Sequence, residues 1–341
     1  MPAPIFSIVT PTFNRVQELP GLINSIESQT LSYNLFEMII VDDGSADGTE
    51  DMVKSIKDKI PFELRYLSQS NKGPGAARNL GAEISRGELV LFIDSDCEAD
   101  SQWLETIYNT YKHDGFDAFG GPDAAKEDFS PLQKAIDFSM TSFFTTGGIR
   151  GHSKKPLVKF YPRTHNMGVK KNIYQKIGGF GNLRHGQDME FSHRLLKSDA
   201  KVITIHDAVV YHRRRTSIVQ FFRQVFNWGV ARINLGNIHK DLLKPIHFLP
   251  SVGFVLAFLT CLGAFIKPEE FIPIVELGIA IFVILALYGG FKNKSAEAAL
   301  LLIIVIPVQI FGYGLGFITA LFRKIFLKET NWSGFTKRYY K

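Results

Sequence analysis

Asp94 and Asp96, on either side of Ser95, form the kind of pair that can hold a hard divalent cation. Oxygen ligands suit Mg2+ or Mn2+, which keep several waters and also accept phosphate oxygens. By itself the D-x-D spacing is equally what a turn with an aspartate helix cap would show. Upstream, Lys72-Gly73-Pro74-Gly75-Ala76-Ala77-Arg78-Asn79 reads as a glycine-rich entry to a helix with Arg78 in its first turn. Free N–H groups and the positive helix end favour an anion there, and Arg78 adds a charge-assisted donor. The plain alternative is a tight glycine-capped turn; neither the dinucleotide G-x-G-x-x-G nor a Walker A loop is present. Asp42-Asp43-Gly44-Ser45 can accept from a base imide or ribose hydroxyls, or form an Asx turn capping the next helix with Ser45 and Asp47. Gly186 to Leu195 reads as a helix with Asp188 in its first turn, where the dipole keeps a carboxylate ionised. That suits a general base acting on a hydroxyl, although an ordinary first-turn acid has the same appearance.

Short apolar runs precede most of these segments. Ile5–Val9, Phe36–Val41, Leu64–Leu67 and Leu89–Ile93 read as buried strands, with helices over Val16–Ser28, Asp47–Ile60 and Gly75–Ser85 between them. Strand–helix repetition at this spacing predicts an α/β fold with a mostly parallel sheet covered on both faces. Such sheets bind ligands outside the carboxyl ends of their strands. Pro11-Thr12-Phe13-Asn14-Arg15 follows the first run, so four polar strand ends converge on one rim. Two of them are acidic, which points to a ligand that is both hydrogen-bonding and cationic.

The chain has 341 residues, 45% hydrophobic and 21% charged, with 29 Gly, 29 Phe and 2 Cys. This excludes a disordered chain, a collagen-like fibre and a disulfide-stapled module. Cys97 and Cys261 have no metal or redox spacing and are expected to be unpaired in a reducing compartment. Net charge is +6, and Lys201–Pro245 carries eight Lys/Arg against two Asp/Glu, a local surplus of six. Beyond residue 245, Ile246–Ile266, Phe271–Phe291 and Ala298–Phe322 each have the length of a spanning helix, with Glu276 the one Asp, Glu, Lys or Arg among them. Their connectors are too short to cover them in a globular core. Met1 to Phe6 lacks a basic n-region and a long apolar run, so no signal peptide is expected.

Taken together, the motifs resemble family-2 glycosyltransferases of the nucleotide-sugar-binding GT-A fold. The pieces are Pro11–Arg15, Val41–Ser45, Gly73–Asn79, Asp94–Asp96, Gly178-Gly179-Phe180 and Gln187-Asp188-Met189-Glu190-Phe191, in family order over roughly residues 4–215. The resemblance implies an inverting, single-displacement transfer from a sugar nucleotide, UDP by analogy, with Mn2+ or Mg2+ as cofactor. Pro11, Thr12, Asn14, Arg15, Lys72 and Gly75 would line the nucleotide-sugar site with Ser95. Asp42 and Asp43 would hold base and ribose, and Arg78 would contact the nucleotide. Asp94 and Asp96 would bind the metal–diphosphate, with Asp96 the direct ligand. His212 matches the family's histidine near the metal, with His206 the weaker candidate, and Asp188 matches the catalytic base. Where the family usually has Glu-Asp this chain has Gln187-Asp188, so the retained member is the usual base and the acceptor hydrogen bonding differs.

The resulting division is a GT-A domain over 1–215, an amphipathic helix and linker over 216–245, membrane helices over 246–322 and a basic tail over 323–341. Val219, Phe222, Phe226, Val230 and Ile233 form an apolar stripe, with Gln220, Gln224, Asn227 and Asn234 opposite. With Arg213–Arg215, Arg223 and Arg232 this reads as a basic interfacial helix, the alternative being a helix packed on the catalytic domain. A lipid-linked or polysaccharide acceptor at the bilayer surface follows as the expected partner, with no nucleic acid. The expected location is an integral membrane protein of bacterial inner-membrane type with a cytosolic catalytic domain. Lys244, Lys292 and Lys294 fit positive-inside placement, yet the basic tail argues that the third segment is bent or re-entrant around Pro307. Competing readings are a sugar-phosphate nucleotidyltransferase, disfavoured by the glycine-free Thr10–Arg15 loop, and a non-catalytic membrane scaffold, which would not need Asp96 and Asp188. A transporter is disfavoured because the spans lack paired charges.

Overall fold

The computed structural model describes residues 3–124, 126, 128–146, 161–330 and 332–335. The apolar runs fold as β1 (Phe6–Thr12), β2 (Phe36–Asp42), β3 (Glu63–Ser68) and β4 (Leu89–Phe92). They are parallel, in the spatial order β3-β2-β1-β4. The sheet continues through β8 (Met167–Lys170), β6 (Ala118–Gly120) and β9 (Val202–Thr204), with β8 antiparallel to both neighbours. A second sheet has the order β5-β10-β7, from β5 (Cys97–Ala99), β10 (Val210–His212) and β7 (Asp123–Ala124).

Alternate residues of each central strand point to opposite faces, and both faces are covered. Ile8, Met38, Ile40 and Leu91 pack against α1 (Leu19–Glu27), α2 (Thr49–Lys57) and α4 (Trp103–Asp114). Val9, Ile39, Val41 and Phe92 pack against α3 (Pro74–Ile84), α7 (Lys171–Lys176) and α8 (Gln187–Lys197). Burial on both sides is why these strands read as mostly apolar runs, interrupted at Ser7, Glu37 and Arg65. Removing one such side chain from water stabilises the fold by about 2 kcal/mol. Two helices start later than the sequence predicts, for local reasons. Asn14 adopts φ 51° and Val16 N donates to Asp47 Oδ2, so residues 14–16 belong to a loop and α1 begins at Leu19. Thr49 donates from both its backbone N and its Oγ1 to Asp47 Oδ1, which makes Asp47 a cap outside α2.

The chain divides into two units. The sheets and their helices, up to residue 126 and from 161 to 213, form the first. Residues 128–146 and 214–335 form the second. The division expected at residue 215 thus differs in one respect: α5 (Pro131–Thr141) and α6 (Phe143–Thr146) belong with the apolar helices. Ala135, Ile136 and Phe138 of α5 share a core with α9 (Ile218–Ile238), α11 (Pro268–Lys292) and α12 (Ala296–Phe326). The segment 147–160 between the two units lies outside the described residues.

With α10 (Leu249–Ile266), α11 and α12 make three helices long and apolar enough to cross a membrane. Only 6% of the apolar window of α10 or α11 is buried, against 39% for α12, so the first two need an apolar solvent on most of their circumference. The third segment is one helix of 31 residues that runs through Pro307, rather than a re-entrant pair. The stripe expected at a bilayer surface instead packs on α12: Phe226, Val230 and Ile233 lie against Phe317 and Ala320, while Val219 stays exposed. Small residues allow this. A Cβ at Gly316 would lie 2.1 Å from Phe226 O, and one at Gly229 would lie 2.2 Å from Tyr313 O. The opposite, polar edge is not a solvated face either: Asn227 exchanges two hydrogen bonds with the Phe335 backbone, and Asn234 donates to Trp332 O.

Candidate functional site

The carboxyl ends of β1 and β2 hold the first part of the site. Pro11 and Thr12 are buried in β1, opposite Val41 and Asp42, and Thr12 O accepts from Asp43 N. Asn14 N donates to Ser45 Oγ at 2.7 Å, and Asn14 Oδ1 accepts from Ala46 N at 2.8 Å, stitching the two strand-end loops together. Asp42 and Asp43 are both buried and already hydrogen-bonded. Asp42 accepts from Ser45 N and Tyr66 Oη, while Asp43 accepts from Gln69 Nε2, Lys72 N and Gly73 N. Asp42 thus braces its own strand-end turn and Asp43 the loop before α3, neither capping α2, and any donor from a nucleotide would share lone pairs that remain. The Lys72 side chain is exposed. Gly73, at φ 92°, turns the chain into α3. Gly75 meets Gln187: a Cβ there would fall 2.7 Å from Gln187 Nε2, so the start of α8 lies directly on the start of α3.

Arg78 reaches from α3 to the end of β4. Its Nη2 donates to Asp94 Oδ1 at 2.5 Å, and its guanidinium lies over the Phe180 ring, 5.6 Å from the centroid. With Asp94 committed to Arg78 and Ser95 buried, Asp96 is the carboxylate that faces His212, at 3.4 Å from Nε2; Arg15 Nη2 is 3.7 Å away. Oxygen, sulfur and nitrogen donors of Asp96, Cys97 and His212 lie within 4.8 Å of one another. Burial pushes the Cys97 thiol up, and the charges of Asp96, Asp94 and Asp123 push it further. A hard divalent cation takes the carboxylate oxygen and the imidazole nitrogen in preference to sulfur, so the donor set is Asp96 and His212. That set fits a divalent cation that keeps waters and phosphate oxygens as its other ligands. His206 is exposed between β9 and β10, away from this cluster of donors.

Asp188 lies in the first turn of α8, paired with Arg163 at 2.9 Å, its side chain 24% exposed. Burial works to raise its pKa, but the Arg163 charge and hydrogen bond, the Met189 N–H and the His165 charge outweigh it. The carboxyl is held below its ordinary range and is ionised near neutrality. Its support is a motif-to-motif lock: Asn79 exchanges hydrogen bonds with Phe180 N and O, and Phe180 packs on Phe191 of α8, the rings tilted by 33° with centroids 4.5 Å apart. Glu190 orients Arg194, whose Nη2 donates to Gly179 O, so this acid of the motif is structural.

Arg163, His165 and Asp123 join the site without having been expected there. Asp123, 1% exposed, has His165 Nε2 at 3.7 Å and His212 Nδ1 at 3.8 Å, and the two imidazole rings are 5.2 Å apart. Asn166, next to His165, is fixed by Trp103 Nε1 and by its own donation to Pro122 O and Ala208 O. The one sequence cue was the polar run Thr164-His165-Asn166; Arg163 and Asp123 stand 25 and 89 residues from Asp188 and His212, with no motif to join them. Contacts thus run from Asp96 through His212 and Asp123 to His165, two residues from the Arg163 that holds Asp188.

The chain is similar to known proteins in sequence and in fold. The family model for glycosyl transferase family 2 matches residues 7–178. Glycosyltransferase AglE of Haloferax volcanii is 25% identical over 270 residues, covering 79% of this chain and 84% of that protein. Glycosyltransferase GlyG of Streptococcus pneumoniae is 26% identical over 239 residues, 66% of this chain and 76% of that one. Among solved structures, the mannosyltransferase PcManGT from Pyrobaculum calidifontis, in complex with GDP-Man and Mn2+, aligns with a TM-score of 0.66 at 15% identity. The alignment covers 96% of this chain and 88% of that one, and its likeness is one of fold.

Proposed function

Since the chain belongs to glycosyl transferase family 2, with its GT-A fold, and is a glycosyltransferase, we propose that it is inverting and takes a UDP-sugar as donor and a lipid-linked hydroxyl as acceptor. The observation that carries this reading is the run of contacts from Asp96 through His212 and Asp123 to His165, whose charge, with that of Arg163, acts on the ionised Asp188. Asp188 accepts the proton of the acceptor hydroxyl as its oxygen attacks the anomeric carbon from the face opposite the leaving diphosphate. Arg163 holds that carboxylate ionised and in place before the hydroxyl arrives. The N–H groups at the start of α3 face the diphosphate, and Arg78 fixes Asp94 at its edge. Asp96 and His212 would hold Mn2+ or Mg2+, and the bound ion supplies electrostatic stabilisation of the charge developing on the diphosphate. The Mn2+ and GDP-Man in the solved mannosyltransferase support a metal and a nucleotide-sugar donor. Single displacement needs no covalent intermediate on the protein.

The lipid-linked acceptor is supported by connectivity: His212 ends β10 and Ile218 begins α9, so the catalytic unit is tied by a short linker to helices able to enter a bilayer. Of the basic run Arg213–Arg215 in that linker, Arg213 pairs with Glu98 and the buried Arg214 with Asp137, so these two charges brace the linker rather than a membrane surface. The test is to offer the purified full-length enzyme a labelled UDP-sugar with lipid extracts and with water-soluble acceptors in parallel. Label is expected in the organic phase; transfer to soluble acceptors alone would remove the lipid reading and leave the transferase intact.

A further inference from the structure

We propose that Asp123 is a positioning residue of the metal site, a buried carboxylate that sets which nitrogen of His212 faces Asp96. The inference rests on the proposed reading of Asp96 and His212 as metal ligands. β10 lies between β5 and β7, antiparallel to the first and parallel to the second, with His212 opposite Cys97 and Tyr211 beside Ala124. Its imidazole is thereby placed between two carboxylates, one from the loop before β5 and one from β7. Nε2 is 3.4 Å from Asp96 Oδ1, and Nδ1 is 3.8 Å from Asp123 Oδ2.

A neutral imidazole has one N–H and one lone pair, and only one arrangement satisfies both neighbours when an ion is bound. With the proton on Nδ1, the N–H points to Asp123 and the Nε2 lone pair is presented on the Asp96 side. The reverse tautomer would aim a lone pair at a carboxylate that is 1% exposed and an N–H at the cation. A carboxylate behind a ligating histidine also raises its basicity and fixes its ring, and removing such a partner costs about 10–100-fold in metal affinity. The separation to Asp123 exceeds that of a closed hydrogen bond, so the contact is electrostatic. The second oxygen of Asp123 does the same for a second ring: Oδ1 is 3.7 Å from His165 Nε2, and His165 is two residues from the Arg163 that pairs with Asp188. One buried side chain thus aligns the histidine of the metal site and the segment that holds the base.

Two measurements on the full-length protein in detergent test this. In the wild-type protein saturated with Mg2+, 15N-histidine spectra, with His212 assigned by its loss in His212→Ala, are expected to show the Nδ1–H tautomer. An Nε2–H tautomer or a doubly protonated ring would overturn the inference. In the second, Mn2+ is titrated by EPR, and imidazole 14N coupling is read by electron spin echo. The wild type is expected to show coupling that His212→Ala abolishes. The near-isosteric Asp123→Asn is expected to bind Mn2+ about tenfold or more weakly, with reduced 14N coupling. Wild-type affinity and coupling in Asp123→Asn would overturn the role of Asp123 while leaving the metal site standing. A wild-type protein that binds Mn2+ without His212 coupling would overturn both readings. Because the tautomer is read on the unaltered chain, the inference remains falsifiable if Asp123→Asn fails to fold.

Discussion

In its proposed role Asp188 accepts a proton only while it is ionised, and Arg163 holds its pKa down against the opposing effect of its own burial. Its folded pKa is depressed, so the acid limb of kcat/KM should lie below the ordinary carboxylate range. Arg163→Gln removes the cation but not the burial. The carboxyl should then titrate higher and the acid limb move to higher pH by about one unit, with donor binding unchanged. A pH profile of transfer by both proteins checks this, and coincident acid limbs would show that Arg163 does not tune the base. Asp188 could be singled out in the sequence because its helix start and its motif are local. Arg163 and Asp123 could not, since each acts on a partner far along the chain, and neither spacing nor periodicity carries such pairing. Asp42 and Asp43 show the opposite case: two meanings of an acidic strand end were visible, and the folded loops use neither as a cap on α2, Asp42 accepting from Ser45 N and Asp43 from the distant Lys72 N and Gly73 N.

At the level of elements, the parallel strands were readable because double-sided burial leaves no polar alternation to hide them. The exception on β2 is Glu37, fully buried, which accepts from Ser7 Oγ, Arg86 N, Arg86 Nε and Arg65 Nη1. Burial acts to raise its pKa, and these hydrogen bonds and the Arg86 charge bring it below its ordinary 4.5. Its contribution to stability is therefore complete above the unfolded value and is lost as pH falls through the lower, folded one. Glu37→Gln should cost about 2 kcal/mol at neutral pH and flatten the acid side of a melting-temperature profile; an unchanged profile would show the network to be inert. The short strands β5, β7 and β10, of two or three residues each, gave no such signal, which is why the sheet that orients His212 was not anticipated. The stripe of α9 was visible, but its partner was not: what decides its packing is the row of small residues on α12. Gly316→Val would drive a side chain into the Phe226 backbone, and it should lower the detergent melting temperature markedly, whereas Gly253→Val, with open space around it, should not. Equal melting of the two variants would contradict the close approach.

For the whole molecule, the composition already announced a catalytic half and an apolar half, because three uncharged or nearly uncharged stretches cannot be covered by their short connectors. What composition could not announce is that residues 128–146, lying between sheet segments in the sequence, belong with the apolar helices. Their character is ordinary amphipathic helix, and the partner that claims them comes much later in the chain. With α10 and α11 requiring an apolar solvent, the protein should stay in the membrane pellet after alkaline carbonate, and its release into the supernatant would exclude spanning helices. The claim on which all of this converges is that one site brings together a metal-held donor diphosphate and the Asp188 carboxylate. It is tested most directly by incubating membranes containing the full-length chain with a panel of labelled nucleotide sugars, with Mn2+, with Mg2+ and with chelator, for the wild type and Asp188→Asn. The account predicts metal-dependent transfer by the wild type that falls by at least about a hundredfold in Asp188→Asn, with donor binding retained. Transfer that persists undiminished in Asp188→Asn, or that ignores the chelator, would contradict it.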